Sequence, residues 1–326
     1  MIIDQFNRVH DYLRISLTDM CNLRCFYCMP EEDYDFTPAS RLMQQDEIYQ
    51  IAKIFVDNGV RKIRLTGGEP FVRKDAGQII KSLSSLGVQL AVTTNGTRLH
   101  EFEEVLESSQ IHSINISLDT LNREKYKFIT RRDMFDVVKK NIHSFIDKDF
   151  KVKINVVLMK DFNEDEITDF IGWTKNVPVH VRFIEFMPFA GNRWTSNKVV
   201  SMDEILQRIE TNFEFSATKG QKNDTEKKFI IPGHKGSFGI ISTMTKPFCD
   251  SCNRMRLTAD GKLKNCLFSN GETDLLTPFR NGKDILPLID QNIKSKAKEL
   301  GGQFTSNLQK VEAGLIHNRS MITIGG

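Results

Sequence analysis

The chain has 326 residues, 40% of them hydrophobic and 27% charged, a globular composition that excludes a disordered or fibrous protein and suits about two domains or one large α/β barrel. Its 45 basic and 42 acidic side chains give a net charge of +3, too small to argue for a duplex nucleic-acid partner but compatible with local anion pockets. No apolar run approaches the ~20 residues of a membrane span, and the N-terminus carries Asp4 and no apolar signal core, so no membrane partner and a cytoplasmic location are expected.

Strands are predicted over Tyr12–Thr18, Lys62–Thr66, Val88–Thr94, Ile111–Leu118, Val152–Met159 and Val181–Met187. Amphipathic stretches lie between them at Asp46–Asn58, Asp75–Leu86, Met134–Asp147 and Glu164–Lys175. Asp75 and the Asn163-Glu164 pair read as helix starts, Gly59 and Gly87 as stops. The alternation implies a parallel sheet with right-handed crossovers, in a barrel or a doubly wound fold.

The strand faces favour the barrel. Leu13, Ile15 and Leu17 oppose Arg14, Ser16 and Thr18, and Ile63 and Leu65 oppose Lys62, Arg64 and Thr66. Ile114, Ile116 and Leu118 oppose Ser113, Asn115 and Ser117 in the same way. Parallel strands covered on both faces read as continuous apolar runs, and a filled eight-stranded barrel is lined by branched apolar side chains. A repeated polar face therefore points to a wet lumen, as an open, incomplete barrel has. The sixth strand breaks the pattern, because Arg182 and Glu185 fall on opposite faces. After Asn197 the repeat fades; Ser216–Lys228 is polar enough to read as a loop or mobile excursion, and Gly239–Thr245 as a short strand. The expected division is residues 1–200 as the partial barrel and 201–326 as a smaller C-terminal domain.

Six cysteines fall in two groups of three, Cys21, Cys25, Cys28 and Cys249, Cys252, Cys266. Three disulfides would suit a secreted chain, but a core of this size needs no staples. Structural zinc takes four ligands, and no histidine completes either set locally: His10 precedes the first group and His234 the second. Three thiolates per group suit an iron–sulfur cluster whose fourth iron is left for a ligand. The first group directly follows strand one, and loops after barrel strands are where active sites form. Gly67-Gly68-Glu69-Pro70 follows strand two at the same end, a turn that lets a ligand approach the backbone closely.

The spacing Cys21-Asn-Leu-Arg-Cys25-Phe-Tyr-Cys28, paired with Gly-Gly-Glu-Pro, resembles the radical S-adenosylmethionine (SAM) superfamily. The stretch Phe248-Cys249-Asp-Ser-Cys252-Asn-Arg254-Met255-Arg256 through Cys266, with the closing Gly325-Gly326, narrows the resemblance, over nearly the whole chain, to the GTP 3′,8-cyclase family of molybdenum cofactor biosynthesis. The resemblance implies an incomplete (β/α)6 TIM-like barrel with a smaller C-terminal domain carrying a second cluster, hence two [4Fe-4S] clusters with SAM as cofactor. It implies that SAM on the first cluster yields a 5′-deoxyadenosyl radical that takes hydrogen from C3′ of GTP, and that the C3′ radical attacks guanine C8. By the same resemblance Tyr27, Gly68, Ser117 and Met187 contact SAM, while the second cluster's open iron binds the guanine. Arg14, Arg64, Thr93, Lys160, Arg254, Met255 and Arg256 are the expected GTP contacts, with Lys62, Arg182, Gly325 and Gly326 as further members. Arginine suits planar, bidentate phosphate contacts. A reductant for the cluster and a homodimer are also implied.

Two rivals make different demands. A peptide-modifying radical SAM maturase with an auxiliary cluster predicts more than three C-terminal thiols, and this chain has none to spare. A zinc-stabilised nucleic-acid module predicts four-ligand sites and a basic stripe, which the spacing and the charge balance oppose.

Overall fold

A computed structural model describes residues 1–29, 34–304, 307, 311 and 316–325. Its core is a run of parallel strands in sequence order: β1 (Tyr12–Ser16), β2 (Lys62–Thr66), β3 (Gln89–Thr94), β4 (Ser113–Ser117), β5 (Lys151–Leu158) and β6 (His180–Glu185). They stand where the alternating pattern puts them, with ends shifted by up to two residues.

Helices α1 (Gln45–Asp57), α2 (Ala76–Ser84), α3 (Glu103–Ser108), α4 (Arg123–Thr130), α5 (Phe135–Asp147) and α6 (Ile167–Trp173) fill the crossovers. Their buried residues recur at helical spacing, as in Ile48, Ile51, Ala52 and Phe55 of α1 or Val138, Ile142 and Phe145 of α5. Gly59 and Gly87 have φ of +103° and +68°, the left-handed backbone that ends a helix. Asp75 does stand at the start of α2, but its carboxylate caps no helical N–H; it pairs with Arg73 at 2.7 Å.

The outer faces of β1 to β6 and the helices share one apolar core, including Leu13, Ile15, Ile63, Leu65, Ile114 and Ile116. Helix α7 (Met202–Glu210), opened by a reciprocal Ser201–Glu204 capping box, leads into the hairpin β7 (Ser216–Ala217) and β8 (Lys227–Ile230), then β9 (Ser237–Ile241). The sequence reading of 216–228 as a loop is thus corrected at both ends: Ser216 pairs with Ile230, and β8 pairs with β9. The cause is an aromatic cluster just outside or beneath the polar run. Phe215, Phe229 and Phe238 meet at centroid distances of 4.9–5.4 Å. The strand expected over Gly239–Thr245 begins at Ser237 and ends at Ile241.

Strand β9 runs parallel to β6, and β10 (Arg254–Leu257) runs parallel to β1, followed by antiparallel β11 (Lys262–Lys264) and β12 (Thr273–Asp274). The full order is β12-β11-β10-β1-β2-β3-β4-β5-β6-β9-β8-β7. Laid flat, β10 and β9 would stand ~34 Å apart at the usual strand spacing. Residues of both nevertheless line one cavity, so the sheet is strongly curled, with β12 and β7 as its free edges. Among the described residues, no helix is long and apolar enough to cross a membrane.

Candidate active site

The polar faces of the strands turn into this curl, where they line two cavities. The cavities share Thr93, Asn155, Ile184, Met187 and Met321 and so lie side by side. Cys21, Cys25 and Cys28 line the first; Cys249, Cys252 and Cys266 line the second.

The first cysteine loop is held from two sides. Backbone N–H groups of Gly68 and Glu69 donate to the carbonyls of Thr18 and Met20 at 2.7 and 2.8 Å, lacing the Gly-Gly-Glu-Pro turn to the loop's start. Arg24 and Phe26 donate their N–H groups to Thr130 and Ile129 at the end of α4. Glu69 is fully buried and accepts from the N–H groups of Phe71 and Asn95 and from Thr94 Oγ1, which ties the turn to the end of β3; burial raises its carboxyl to about 7. The Tyr27 hydroxyl donates to Asp119 at 2.5 Å, and Asp119 also accepts from the Val157 N–H. Tyr27, Gly68, Ser117 and Met187 all line the first cavity.

Pairing register builds the second cavity. Arg14 stands directly beside Arg64 on one side and Arg256 on the other, a row of three arginines at strand spacing. Burial lowers Arg256 to about 10, with the charge of Arg254 adding to the effect, and burial also depresses Arg14 beside Arg256. Such a row is unfavourable by itself and becomes favourable once an anion sits against it. Arg182 from β6 and Arg254 complete the cationic lining, with the Arg254 guanidinium 4.9 Å from the Phe248 ring centroid. Thr93 lines both cavities.

Other expected contacts stand elsewhere. Met255 alternates to the opposite face of β10 and is fully buried in the core opposite Leu13, so its side chain is packing and not lining. Lys160, exposed just past β5, pairs with Glu204 at 3.0 Å and lines neither cavity. The Lys62 ammonium lies 5.2 Å from the Tyr12 ring centroid, also outside both linings. Gly325 is in neither lining but touches a residue that is: its carbonyl accepts from Arg256 Nη1 at 3.0 Å. Gly326 lies outside the described residues. Glu185, on the outer face of β6, accepts from the N–H groups of Met244 and Thr245 and pins the loop that precedes the second cysteines, which accounts for the break in that strand's pattern.

Sequence reasoning missed Tyr12, Asn115, Asn155 and Phe248, all in the second lining. Tyr12 shares the face of Arg14 by simple alternation, and Lys153 and Asn155 mark a polar face in β5, so the signal was present for both.

All six cysteines are free and partly buried. Among the described residues no three His, Cys, Asp or Glu side chains converge tightly enough to hold a single metal ion. A single zinc needs convergent donors about 2.3 Å from one point, whereas in an iron–sulfur cluster each thiolate meets its own iron; three thiols along one cavity wall fit the cluster. Burial pushes the Cys21 thiol up to about 11 and Cys28 to about 12, protons that a cation would displace. Cys252 differs: burial alone would raise it, but the charges of Arg254 and Lys296 bring it down to about 6.

Comparison with known proteins agrees with this geometry. Residues 15–174 match the radical SAM superfamily, and residues 179–301 match the family described as Molybdenum Cofactor Synthesis C. The chain is 45% identical to the mitochondrial GTP 3′,8-cyclase of Arabidopsis thaliana, over 100% of this chain and 84% of that protein. The chain belongs to the GTP 3′,8-cyclase family. Molybdenum cofactor biosynthesis protein 1 of Drosophila melanogaster is also 45% identical, over 91% of this chain, which spans about half (54%) of that longer relative. The crystal structure of Streptococcus suis SuiB bound to precursor peptide SuiA shares the fold with a TM-score of 0.60 at 16% identity, covering 97% of this chain and 76% of SuiB. The two three-cysteine loops of this chain thus line neighbouring cavities.

Proposed function

We propose that this chain is a radical SAM GTP 3′,8-cyclase acting in molybdenum cofactor biosynthesis, with SAM and two [4Fe-4S] clusters as cofactors. The observation that carries the reading is the pair of adjoining cavities: one three-cysteine loop lines each, the arginine row lines the second, and Thr93 lines both. With cluster and SAM bound, the chemistry supplied is abstraction of a hydrogen atom from the ribose C3′ of GTP, after which C3′ bonds to guanine C8.

In this reading Cys21, Cys25 and Cys28 hold the first cluster, and Tyr27, Gly68, Ser117 and Met187 hold SAM against it. Cys249, Cys252 and Cys266 would hold the second cluster, which would supply an open iron as a site for the guanine. Arg14, Arg64, Arg182, Arg254 and Arg256 neutralise the triphosphate and fix the ribose between the two groups, and Thr93 orients it. A polyanion with ~3–4 negative charges relieves the mutual repulsion of these cations on binding, which makes the cavity selective for a nucleoside triphosphate over an uncharged ligand. The assignment of Lys160 rests on the family resemblance, as do the one-electron reductant and a homodimeric assembly. The curled parallel core supports the incomplete barrel, with residues 201–326 as the auxiliary-cluster domain.

Anaerobic reconstitution with iron and sulfide tests the reading. The native chain should bind about eight irons and the Cys249/Cys252/Cys266 triple alanine variant about four. The native protein should then cyclise GTP, and Arg254→Ala with Arg256→Ala should lose that activity. Zinc in place of iron, or full-rate cyclisation by the double arginine variant, would overturn it.

A further inference from the structure

The segment 295–300 lies against the second cysteine loop and is braced by residues from the other end of the chain. Leu300 donates its N–H to Cys249 Sγ at 3.5 Å. Arg8, buried, donates from Nη1 to the carbonyls of Cys249 and Lys298 at 2.9 and 2.7 Å and from Nη2 to that of Ala297 at 3.0 Å. Its Nε pairs with Asp4 at 2.6 Å, and the same carboxylate meets His10 Nε2 at 3.0 Å. Gln5 Nε2 donates to the Lys296 carbonyl at 3.1 Å.

This frame fixes Lys296, which is only 2% exposed. Its Nζ lies 3.5 Å from Cys252 Sγ and 3.3 Å from the carbonyl oxygen of Arg254. Among the described residues no carboxylate stands within ion-pair distance of it, and the Asp4 carboxylate of the bracing segment is engaged by Arg8 and His10. Taking an ammonium out of water costs several kcal/mol unless an anion faces it. The group that faces it here is a sulfur, which carries negative charge when it ligates metal.

We propose that Lys296 is a positioning residue for the second cysteine group: a fixed positive charge held against the Cys252 sulfur, which stabilises the reduced form of the cluster bound there and so raises its reduction potential. The inference rests on the two-cluster reading above. Charge and hydrogen bonds at the ligating sulfurs are among the levers that set such potentials, and an ammonium at 3.5 Å supplies both.

The test is a potentiometric titration of the full, reconstituted protein followed by electron paramagnetic resonance, comparing native, Lys296→Met and Lys296→Arg. Methionine keeps the length and apolar stem and removes the charge. The second cluster's potential should move to more negative values in K296M, stay near native in K296R, and the first cluster's potential should not move in either. Full iron content with an unmoved second potential in K296M overturns the proposal. If K296M instead loses the second group's iron, retention of that iron by K296R supports the charge, and its loss in K296R as well overturns it in favour of packing alone. Iron counting on the native protein comes first; about four irons there would remove the two-cluster reading, and the proposal with it.

Discussion

Arg256 Nη1 donates to the carbonyl oxygen of Gly325 at 3.0 Å, joining the strand beside β1 to the residue that follows the turn Met321–Ile324. Gly325 has φ of +84°, and a Cβ built on it would meet Ser16 Cβ at 2.7 Å and Thr66 Oγ1 at 2.8 Å, both on buried residues. Only glycine passes there without displacement.

Gly325→Ala should therefore expel the final turn at a cost of ~1–3 kcal/mol from backbone strain and overlap. The expected result is faster hydrogen exchange across Met321–Ile324 and a large drop in GTP cyclisation, with iron content unchanged. Native exchange rates in that turn would show that the tail tolerates the methyl group.

Gly68 is constrained more tightly still. A Cβ there would fall 2.5 Å from the Met20 carbonyl oxygen and 2.6 Å from that of Asp19, both backbone atoms that cannot swing aside. Gly68→Ala should push the Gly-Gly-Glu-Pro turn off the first cysteine loop, breaking the 2.7 Å bond from its N–H to Thr18. SAM affinity measured by calorimetry should fall ~10-fold or more, the equivalent of ~1.4 kcal/mol or more of lost binding. GTP affinity should change little, and unchanged SAM binding would count against the assigned role.

Tyr12 accepts from Arg64 Nε at 2.6 Å. Burial alone would raise its phenol, but the charges of Arg64 and Arg14 bring it from the usual 10.0 down to about 7. The ionised form is thus favoured by folding: its stabilising contribution is fully present above pH 10 and is lost as pH falls from 10 to 7. Ultraviolet difference titration of native protein against Tyr12→Phe should show one phenolate appearing near pH 7, and Tyr12→Phe should lose the gain in stability between pH 7 and 10. A triphosphate that occupies the arginines should move the phenolate back toward 10.

Glu226 accepts from His180 Nε2 at 3.0 Å and lies 3.9 Å from Arg182 Nε. Burial would raise this carboxyl, but the His180 hydrogen bond and the charges of His180, Arg182 and Lys153 hold it at about 2. Its contribution is therefore present at neutral pH and is lost only as pH falls from 4.5 toward 2. Arg182 also donates from Nη2 to Asn155 Oδ1, so its guanidinium is set from two sides. Glu226→Gln should cost ~3 kcal/mol at neutral pH by leaving buried cations uncompensated. It should also raise KM for GTP more than it lowers kcat, and an unchanged KM would assign Glu226 to stability alone.

Much of this protein was legible in the order of its residues. Cysteine spacing is a local property, and so is the alternation that put Arg14, Ser16, Arg64, Thr66, Asn115 and Ser117 on one polar face, because successive side chains of a strand point to opposite sides whatever the strand pairs with. Those features carried the parallel α/β core and the metal chemistry. What the tertiary structure alone decided is non-local. That β10 pairs with β1, bringing Arg256 beside Arg14, depends on which sheet edge the rest of the fold leaves open. Lys296 meets Cys252 only because Arg8, Gln5 and Asp4 brace segment 295–300 from the far end of the chain. Strands β7 and β8 escaped notice because a few buried phenylalanines outweigh a polar run, and the core-facing side chain of Met255 shows that motif membership names a residue while the pleat of its strand decides which way it faces.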